Sequence, residues 1–125
     1  MYAAVQDAVF RGTLLQDGAE ASDVDVSPVI EVAGNAAVLS VTLINGTGIS
    51  PSAQLVFDLE ASYDRKAWFT HSTGVVTISG NALGETVSST VAGLDVSCCR
   101  VIASLSSTAG TIRALFDATI VFTSQ

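Results

Sequence analysis

Apolar and polar positions alternate with a period of two along most of this 125-residue chain. The clearest run covers residues 55–64, in which every second side chain is apolar: Leu55, Phe57, Leu59, Ala61 and Tyr63. The positions between them are Val56, Asp58, Glu60, Ser62 and Asp64. Because successive side chains of a strand point to opposite faces, this alternation predicts a half-buried strand of an antiparallel sheet. It also predicts that Tyr63 lies on the buried face.

The same period recurs in other segments. It is seen in residues 39–43 and again in residues 86–91, where one parity holds Val87, Ser89 and Val91 and the other holds Thr86, Ser88 and Thr90. Upstream, one parity holds Val24, Val26, Ile30 and Val32, and the other holds Asp23, Asp25 and Glu31. Pro28 interrupts this run and lacks a backbone donor, which indicates an edge strand or a break where the chain changes sheets.

The last apolar run, residues 112–122, is apolar on both of its faces. One parity holds Ile112, Ala114, Phe116, Ala118, Ile120 and Phe122. The other parity mixes Arg113, Asp117 and Thr119 with Leu115 and Val121. We therefore expect this strand to be covered on both sides, with Leu115 and Val121 facing a neighbouring subunit.

Turn-forming residues separate the apolar runs at intervals of about 8–12 residues, which is typical of a sandwich or barrel. Examples are Gly34-Asn35, Asn45-Gly46, Gly80-Asn81 and Ala109-Gly110. The prediction is an all-β fold, an antiparallel β-sandwich or jelly roll of about eight strands. Residues 16–125 are predicted to form this single domain. Residues 1–15 precede it as an N-terminal arm or edge strand, with a short helix from Tyr2 to Phe10 as a further alternative.

Composition narrows the possible functions. Hydrophobic residues make up 49% of the chain and charged residues 14%, and the net charge is −7. A nucleic-acid binder needs clustered Lys and Arg, so this balance argues against one. No stretch approaches the length of a membrane span, and the N-terminus lacks a signal-peptide pattern, so we expect synthesis in a cytoplasm. So little charge also indicates that part of the surface meets a partner.

The two cysteines, Cys98 and Cys99, are adjacent. Neighbouring residues on a strand point to opposite faces, so a disulfide between them would be strained. We expect two reduced thiols, with Cys99 inside the fold and Cys98 outside.

The chain offers little for catalysis. His71 is its one histidine, and no serine or cysteine stands in a nucleophile-elbow pattern. Asp58 and Glu60 share a face, but strand alternation alone places both in solvent. Asp17, Asp23 and Asp25 supply oxygen ligands without the spacing of a calcium loop. We therefore predict no enzyme activity, no metal and no cofactor.

Three aromatic residues flank the turn after residue 63: Tyr63, Trp68 and Phe69. If exposed, such rings can stack on a sugar ring. Packing in the core is the favoured interpretation for Tyr63 and Trp68, because a single Trp usually anchors a sandwich core. The alternative is a ligand site at Trp68 and His71.

Residues 59–69, Leu-Glu-Ala-Ser-Tyr-Asp-Arg-Lys-Ala-Trp-Phe, resemble a hairpin of small β-sandwich structural proteins of tailed bacteriophages. In that family a strand ends in Ser-x-Asp-Gly and returns through a Trp, and here Arg65 stands at the Gly position. Residues 99–105, followed by Gly110 and residues 112–114, resemble the closing hairpin of the same proteins. The resemblance extends from Leu55 to the end of the chain.

The resemblance implies a virion component, a head decoration or cement protein on the capsid surface. Its implied partners are the major capsid protein and further copies of itself, with a trimer favoured. The N-terminal segment would then be a contacting arm, through Tyr2, Val5, Val9 and Phe10. The alternative is a carbohydrate- or receptor-binding module of a phage tail or surface structure. A non-viral adhesion domain of immunoglobulin type is a third hypothesis, disfavoured by the absence of a Cys–Trp–Cys framework.

Overall fold

The computed structural model describes residues 4–16, 24–47, 54–79, 84–106 and 112–123. These residues form strands and no helix. The strands are β1 (Ala4–Gln16), β2 (Val24–Val26), β3 (Ile30–Glu31), β4 (Ala36–Thr47), β5 (Gln54–Ser62), β6 (Phe69–Ser79), β7 (Thr86–Ala92), β8 (Cys98–Ser106) and β9 (Ile112–Thr123).

The strands build two antiparallel sheets. The first sheet has the order β1-β9-β4-β7, and the second has the order β2-β8-β5-β6, with β3 also paired to β8. Since β2 and β3 succeed each other along the same edge of β8, they occupy one strand position. Each sheet therefore has four positions.

The connections identify the topology as a jelly roll. Successive strand positions alternate between the sheets, except that β5 and β6 form a hairpin within the second sheet. Each remaining strand pairs with a strand distant in sequence, as β1 does with β9 and β4 with β9. This is the double Greek-key arrangement of jelly rolls. The predicted all-β antiparallel sandwich is confirmed.

The core lies between the two sheets and follows the predicted alternation in β4, β5 and β9. Its largest fully buried side chains are Phe57, Phe116, Phe122, Leu39, Leu43, Leu55, Leu59, Ile78, Ile120 and Val41. Burial of each such side chain stabilises the fold by roughly 1.5–3 kcal/mol. Phe116 lies at the centre, edge-on to Phe57 of the opposite sheet with 4.9 Å between ring centroids.

The N-terminal segment is the edge strand of the first sheet. β1 pairs with β9 from Ala4 to Gln16, with one irregularity near its start. Phe10, predicted as an intersubunit contact, is instead a core residue, because its ring packs on Phe116 and is only 9% exposed. Tyr2 and the side chains of Val5 and Val9 lie outside the described residues.

A one-residue bulge separates β2 from β3. Val26 pairs with Ile102 and Ile30 pairs with Cys99, so four steps on one strand match three steps on the other. The extra residue reverses the side-chain faces. The prediction that Val24 and Val26 share the buried face of Ile30 is therefore wrong: both valines are exposed.

At this bulge, where the regular pairing of strands is interrupted, Ser27 makes two hydrogen bonds to β8. Its N–H donates to the carbonyl of Val101, and its Oγ accepts the N–H of Val101 at 2.8 Å. Pro28, which has no N–H, follows in the same interruption. The edge position expected from Pro28 is confirmed, since β2 and β3 form the edge of the second sheet.

Both cysteines are free and buried. The prediction that Cys98 lies outside is wrong, because Cys98 is 1% exposed. It lies opposite Glu31 of β3 on one side and Ser62 of β5 on the other, and an ion pair joins Arg65, in the turn after β5, to Glu31. Cys99 points into the core, where burial, and secondarily the neighbouring Cys98, raises the pKa of its thiol to about 12.

Candidate binding surfaces

Three loops meet at one end of the sandwich, and we call this region the loop end. They are residues 32–35, 63–68 and 93–97. Backbone hydrogen bonds join the first loop to the third: Leu94 N donates to the carbonyl of Asn35 at 3.0 Å, and Val32 N donates to that of Ser97 at 3.1 Å. The loop end is therefore tied together by its own backbone.

The turn between β5 and β6 is fixed by two side chains. Ser62 Oγ accepts the N–H groups of Asp64 and Arg65, at 3.2 and 2.9 Å. Asp64 Oδ1 accepts those of Lys66 and Ala67, each at 2.9 Å. These donors stabilise the ionised carboxylate, so the pKa of Asp64 is lowered, with Ala67 N–H as the largest cause and Lys66 N–H next.

Arg65 adopts the left-handed backbone conformation, with φ at 64°. It is the residue that stands where the resembling hairpins have Gly, and that conformation is the one Gly adopts without strain. The Arg side chain has another role, since its Nη2 donates to Glu31 Oε1 at 2.8 Å. The ion pair joins the turn to β3.

An aromatic pair is exposed beside this turn. Tyr63 is 66% exposed and Phe69 is 41% exposed. Their rings stack with 5.8 Å between centroids and 28° between planes. The prediction that Tyr63 packs in the core is wrong. Its parity matches that of Ala61, but β5 ends at Ser62 and Tyr63 lies in the turn, where strand alternation no longer applies.

Trp68 lies under an arginine on the outer face of the second sheet. The guanidinium carbon of Arg100 is 4.1 Å from the centroid of the Trp68 ring, a cation–π contact. Arg100 Nε also donates to Glu60 Oε1 at 2.8 Å. Trp68 is half-buried, so the core position favoured from the sequence is wrong. The alternative ligand site is also weakened, since Arg100 covers one ring face.

His71 ties β6 to the loop that follows β7. Its Nδ1 lies 2.8 Å from Ser72 Oγ, and its Nε2 lies 3.1 Å from the carbonyl oxygen of Gly93. With both ring nitrogens engaged, His71 serves as a structural link between the two sheets.

Asp58 and Glu60 likewise have structural partners. Asp58 Oδ1 accepts the N–H of Gly74 at 2.7 Å, where β6 departs from regular register. Gly74 has a φ of 58° and so adopts the left-handed conformation there. Glu60 pairs with Arg100. Each carboxylate stabilises a feature of the sheet.

The outer face of the first sheet, which we call the first-sheet face, is nearly uncharged. Its described side chains include Arg11, Val38, Ser40, Thr42, Thr86, Ser88, Thr90, Leu115, Asp117, Thr119 and Val121. Hydroxyl pairs bridge its strands, with Ser40 and Ser88 Oγ atoms 2.8 Å apart and Thr42 and Thr86 Oγ1 atoms 2.6 Å apart. Leu115 and Val121, predicted as interface residues, are half-buried on this face.

Arg11 and Asp117 neutralise each other on the first-sheet face. Arg11 Nε and Nη2 donate to the two carboxylate oxygens of Asp117 at 2.6 and 2.8 Å. This hydrogen bonding lowers the pKa of Asp117 and raises that of Arg11. The pair leaves no unbalanced charge among the described side chains of this face.

The outer face of the second sheet carries an apolar strip along its edge. Val24 and Val26 are 53% and 43% exposed, and Val29 in the bulge is also exposed. Ile102 lies directly opposite Val26. The strip is bounded by polar residues on β5.

Among the described residues, no group of three or more His, Cys, Asp or Glu side chains could hold a metal ion. Of the predicted oxygen ligands, Asp17 and Asp23 lie outside the described residues. Asp25 points between the sheets, with its carboxylate close to Gly12. In the same described part of the chain, no helix is long and apolar enough to cross a membrane.

No family model matches this chain, and no curated protein matches it. Solved structures that are similar to it at low identity include the following three. A pilus protein of Bacillus endospore appendages is 18% identical, with a TM-score of 0.37 and coverage of 98% of this chain and 95% of that one. The xylan-binding module CBM15 is 10% identical, with a TM-score of 0.42 and coverage of 94% and 97%.

The third structure is from infectious bursal disease virus, Gx strain. It is 11% identical, with a TM-score of 0.37, and the match covers 95% of this chain but 33% of that one. At these TM-scores the three likenesses assign neither a family nor a function.

Proposed function

We propose that this chain is a non-enzymatic structural protein of a virion, a capsid decoration or cement protein on the surface of a phage head. It acts as a homo-oligomer, trimeric as the resemblance implies, and its partner is the assembled major capsid protein. The broader description, a β-sandwich module that works through its surface, rests on the fold. The role in a virion rests on the resemblance and on the character of one face.

The observation that carries the proposal is the first-sheet face. Its described charged side chains, Arg11 and Asp117, form an ion pair with each other. The remaining described side chains carry hydroxyl or aliphatic groups. Solvated surfaces of small domains usually carry about 25–35% charged residues. A face so poor in net charge loses little solvation when a partner covers it, because hydroxyls re-form hydrogen bonds and aliphatic groups gain from burial.

A shell protein also gains from repetition. A single contact of modest area binds weakly, but an oligomer that touches several capsid subunits binds as a multivalent ligand. A rigid jelly roll suits this role, because its two sheets hold the contacting side chains in fixed positions.

The test is cosedimentation with capsids assembled from the major capsid protein of the phage that encodes this chain. We expect the wild-type protein to sediment with assembled capsids and not to bind free capsid subunits. Val121→Glu, which places a charge on the first-sheet face, should strongly reduce the bound fraction, because the charge would have to be desolvated in the contact. Val26→Glu makes the same change on the outer face of the second sheet and should bind as the wild type does.

Three results would count against the proposal. Failure of the wild-type protein to sediment with capsids would contradict the virion role. A monomeric mass in light scattering would contradict the oligomer. Equal binding by Val121→Glu would remove the first-sheet face from the contact.

A second candidate function, binding of a saccharide, is favoured by the exposed Tyr63–Phe69 pair at the loop end. An aromatic ring with a free face can pack on the C–H face of a sugar, and Tyr63 exposes most of its side chain. The turn that carries it is held by Ser62 and Asp64, so the ring is presented from an ordered loop.

A glycan array with wild-type protein tests this candidate. Tyr63→Phe retains the ring and should retain any signal, whereas Tyr63→Ala should abolish it. An array with no wild-type hits, or hits unchanged in Tyr63→Ala, would exclude saccharide binding at the loop end.

A further inference from the structure

Strand β7 forms one edge of the first sheet. Its residues Thr86 to Ala92 pair with β4 in unbroken register, Ala36 opposite Ala92 through Thr42 opposite Thr86. The strand order places β7 last in its sheet, so no described strand pairs with its other side. Among the described residues, no strand pairs with the backbone N–H and C=O groups on that side of β7.

The other described sheet edges are interrupted or charged. The edge formed by β2 and β3 contains Pro28, a bulge and Glu31. The edge strand β6 shifts register twice against β5, beside Gly74. The edge strand β1 carries Arg11. Such features are the usual means of preventing strands of different molecules from pairing.

β7 has none of these features. Its sequence, Thr-Val-Ser-Ser-Thr-Val-Ala, contains no charged residue and no proline, and its pairing with β4 shows no bulge. A long, regular and uncharged edge is a template for adding another strand.

The sequence of β7 is complementary to itself. In antiparallel pairing centred on Ser89, Val87 lies opposite Val91 of a second copy, and Ser88 lies opposite its Thr90. The valines meet on the inner face, where Val91 is buried and Val87 packs against the core. The hydroxyls meet on the outer face, as Ser40 and Ser88 already do within one molecule at 2.8 Å.

Neighbouring registers lack this match. If the second strand is shifted by one position, inner side chains of one copy lie opposite outer side chains of the other, because the faces alternate with a period of two. A shift of two positions retains the faces but places each valine opposite Ser89 or beyond the strand. Pairing centred on Ser89 is therefore the register that matches both faces.

We propose that two copies of this chain pair through β7, antiparallel and about a two-fold axis at Ser89. The first sheets of the two molecules then form one continuous sheet, and the first-sheet face extends across both. The interface is isologous, since each copy contributes the same strand. This contact differs from the trimer contact that the resemblance implies, and it does not depend on a capsid partner.

The experiment measures molar mass by sedimentation velocity over a range of protein concentrations. Wild-type protein should show a reversible two-fold association. Ser88→Lys with Thr90→Lys places like charges opposite each other across the axis and should abolish that association. Ser88→Lys with Thr90→Glu places opposite charges there and should restore it, which only pairing in this register explains.

A control pair, Thr70→Lys with Thr77→Lys, puts the same charges on exposed positions of β6 and should leave the association unchanged. Far-ultraviolet circular dichroism and a thermal melt confirm that each variant is folded. The proposal is wrong if the wild type shows no two-fold association, or if the Lys–Lys variant on β7 associates as the wild type does.

Disulfide trapping gives a second measurement that does not depend on charge. Directly opposed residues of antiparallel strands have Cα atoms about 4.5–5.5 Å apart, within disulfide range. Ser89→Cys lies opposite itself in the proposed register and should cross-link to a covalent dimer under mild oxidation. Ser88→Cys is offset from its counterpart and should cross-link much more slowly. Equal rates for the two variants would contradict the register.

Discussion

The ring of Phe10 packs edge-on against that of Phe116, with 5.3 Å between centroids and 79° between planes. Phe10 comes from the edge strand β1 and Phe116 from the neighbouring β9. Phe116 in turn meets Phe57 from the opposite sheet. The three rings join the N-terminal strand to the centre of the sandwich, so this strand contributes directly to the core.

Truncation of Phe10 should therefore destabilise the fold. Phe10→Ala removes a largely buried ring and leaves a cavity beside Phe116, which should lower the free energy of unfolding by about 3 kcal/mol. Val29→Ala, at an exposed position, should change it by less than about 0.5 kcal/mol. Urea titrations measure both. An unchanged midpoint for Phe10→Ala, with altered oligomer mass, would restore the interpretation of Phe10 as an interface residue.

At position 65 we expect glycine to give a more stable protein than alanine. The left-handed conformation of Arg65 costs a non-glycine residue roughly 1–2 kcal/mol, whereas its exposed ion pair with Glu31 contributes at most about 1 kcal/mol. Arg65→Gly should therefore be more stable than Arg65→Ala by about 1 kcal/mol, since both lack the ion pair and only Ala retains the strain.

The same pair of substitutions at the next residue is the matched control. Lys66 has a negative φ, so Lys66→Gly should be less stable than Lys66→Ala. Urea midpoints of the four variants decide the matter. If Gly is not favoured over Ala at position 65, the positive φ there is not a source of strain.

Alternation predicted much of this fold because it reports which face of a strand a residue occupies. Leu55, Phe57 and Leu59 were assigned correctly on that basis, and they are fully buried. Alternation carries no information about position along the strand axis. Tyr63 has the parity of the core but follows the last residue of β5, and Cys98 has the outer parity but is buried.

The bulge between β2 and β3 was not predicted for a related reason. A single extra residue reverses the faces of every residue before it relative to those after it, and neither Ser27 nor Pro28 specifies how many residues the partner strand uses. The positions of Val24 and Val26 depend on pairing with Ile102 and its neighbours, which is a long-range contact.

The surfaces were predicted less completely than the core. The low charge pointed to a covered surface, and Leu115 and Val121 were placed on the correct side of β9. The aromatic pair of Tyr63 and Phe69 was missed, because stacking at the loop end requires the turn geometry set by Ser62 and Asp64. The exposed edge of β7 depends on strand order, which no local pattern encodes.

The lowered pKa of Asp64 predicts that this carboxylate stabilises the fold, and that its contribution to the free energy of unfolding is lost in acid. Because backbone N–H groups of Ala67 and Lys66 hold its pKa below the ordinary value, folding favours the ionised form. This contribution is present above the pKa of the unfolded chain, about 3.9, and is lost as the pH falls through the lower pKa of the folded state. Asp64→Asn should therefore lose less stability than the wild type between about pH 5 and pH 2.

Lys66→Ala is the control for this acid dependence. It removes the neighbouring positive charge but retains the backbone N–H that donates to Asp64, so its acid dependence should follow that of the wild type. Thermal midpoints at each pH supply the measurement. If Asp64→Asn and the wild type lose stability in parallel, the carboxylate of Asp64 plays no part in acid stability.

The raised pKa of the Cys99 thiol predicts that the fold loses stability in alkali. The thiol has a pKa of about 12 in the fold against 9.0 in its absence, because burial disfavours the thiolate. The unfolded chain releases this proton first, so the stabilising contribution is complete below about pH 9 and is lost as the pH rises towards 12. A shift of this size corresponds to a loss on the order of a few kcal/mol.

Cys99→Ala should flatten the fall in stability between about pH 9 and pH 11, whereas Cys98→Ala should retain it. A thiol reagent at neutral pH gives an independent readout: neither cysteine should react in the native protein, and both should react in denaturant, because both side chains are buried. Rapid native labelling of Cys98 would show that the loop end opens readily. Labelling that is slow in the wild type but fast in Glu31→Gln would show that the ion pair between Arg65 and Glu31 helps to keep the loop end closed.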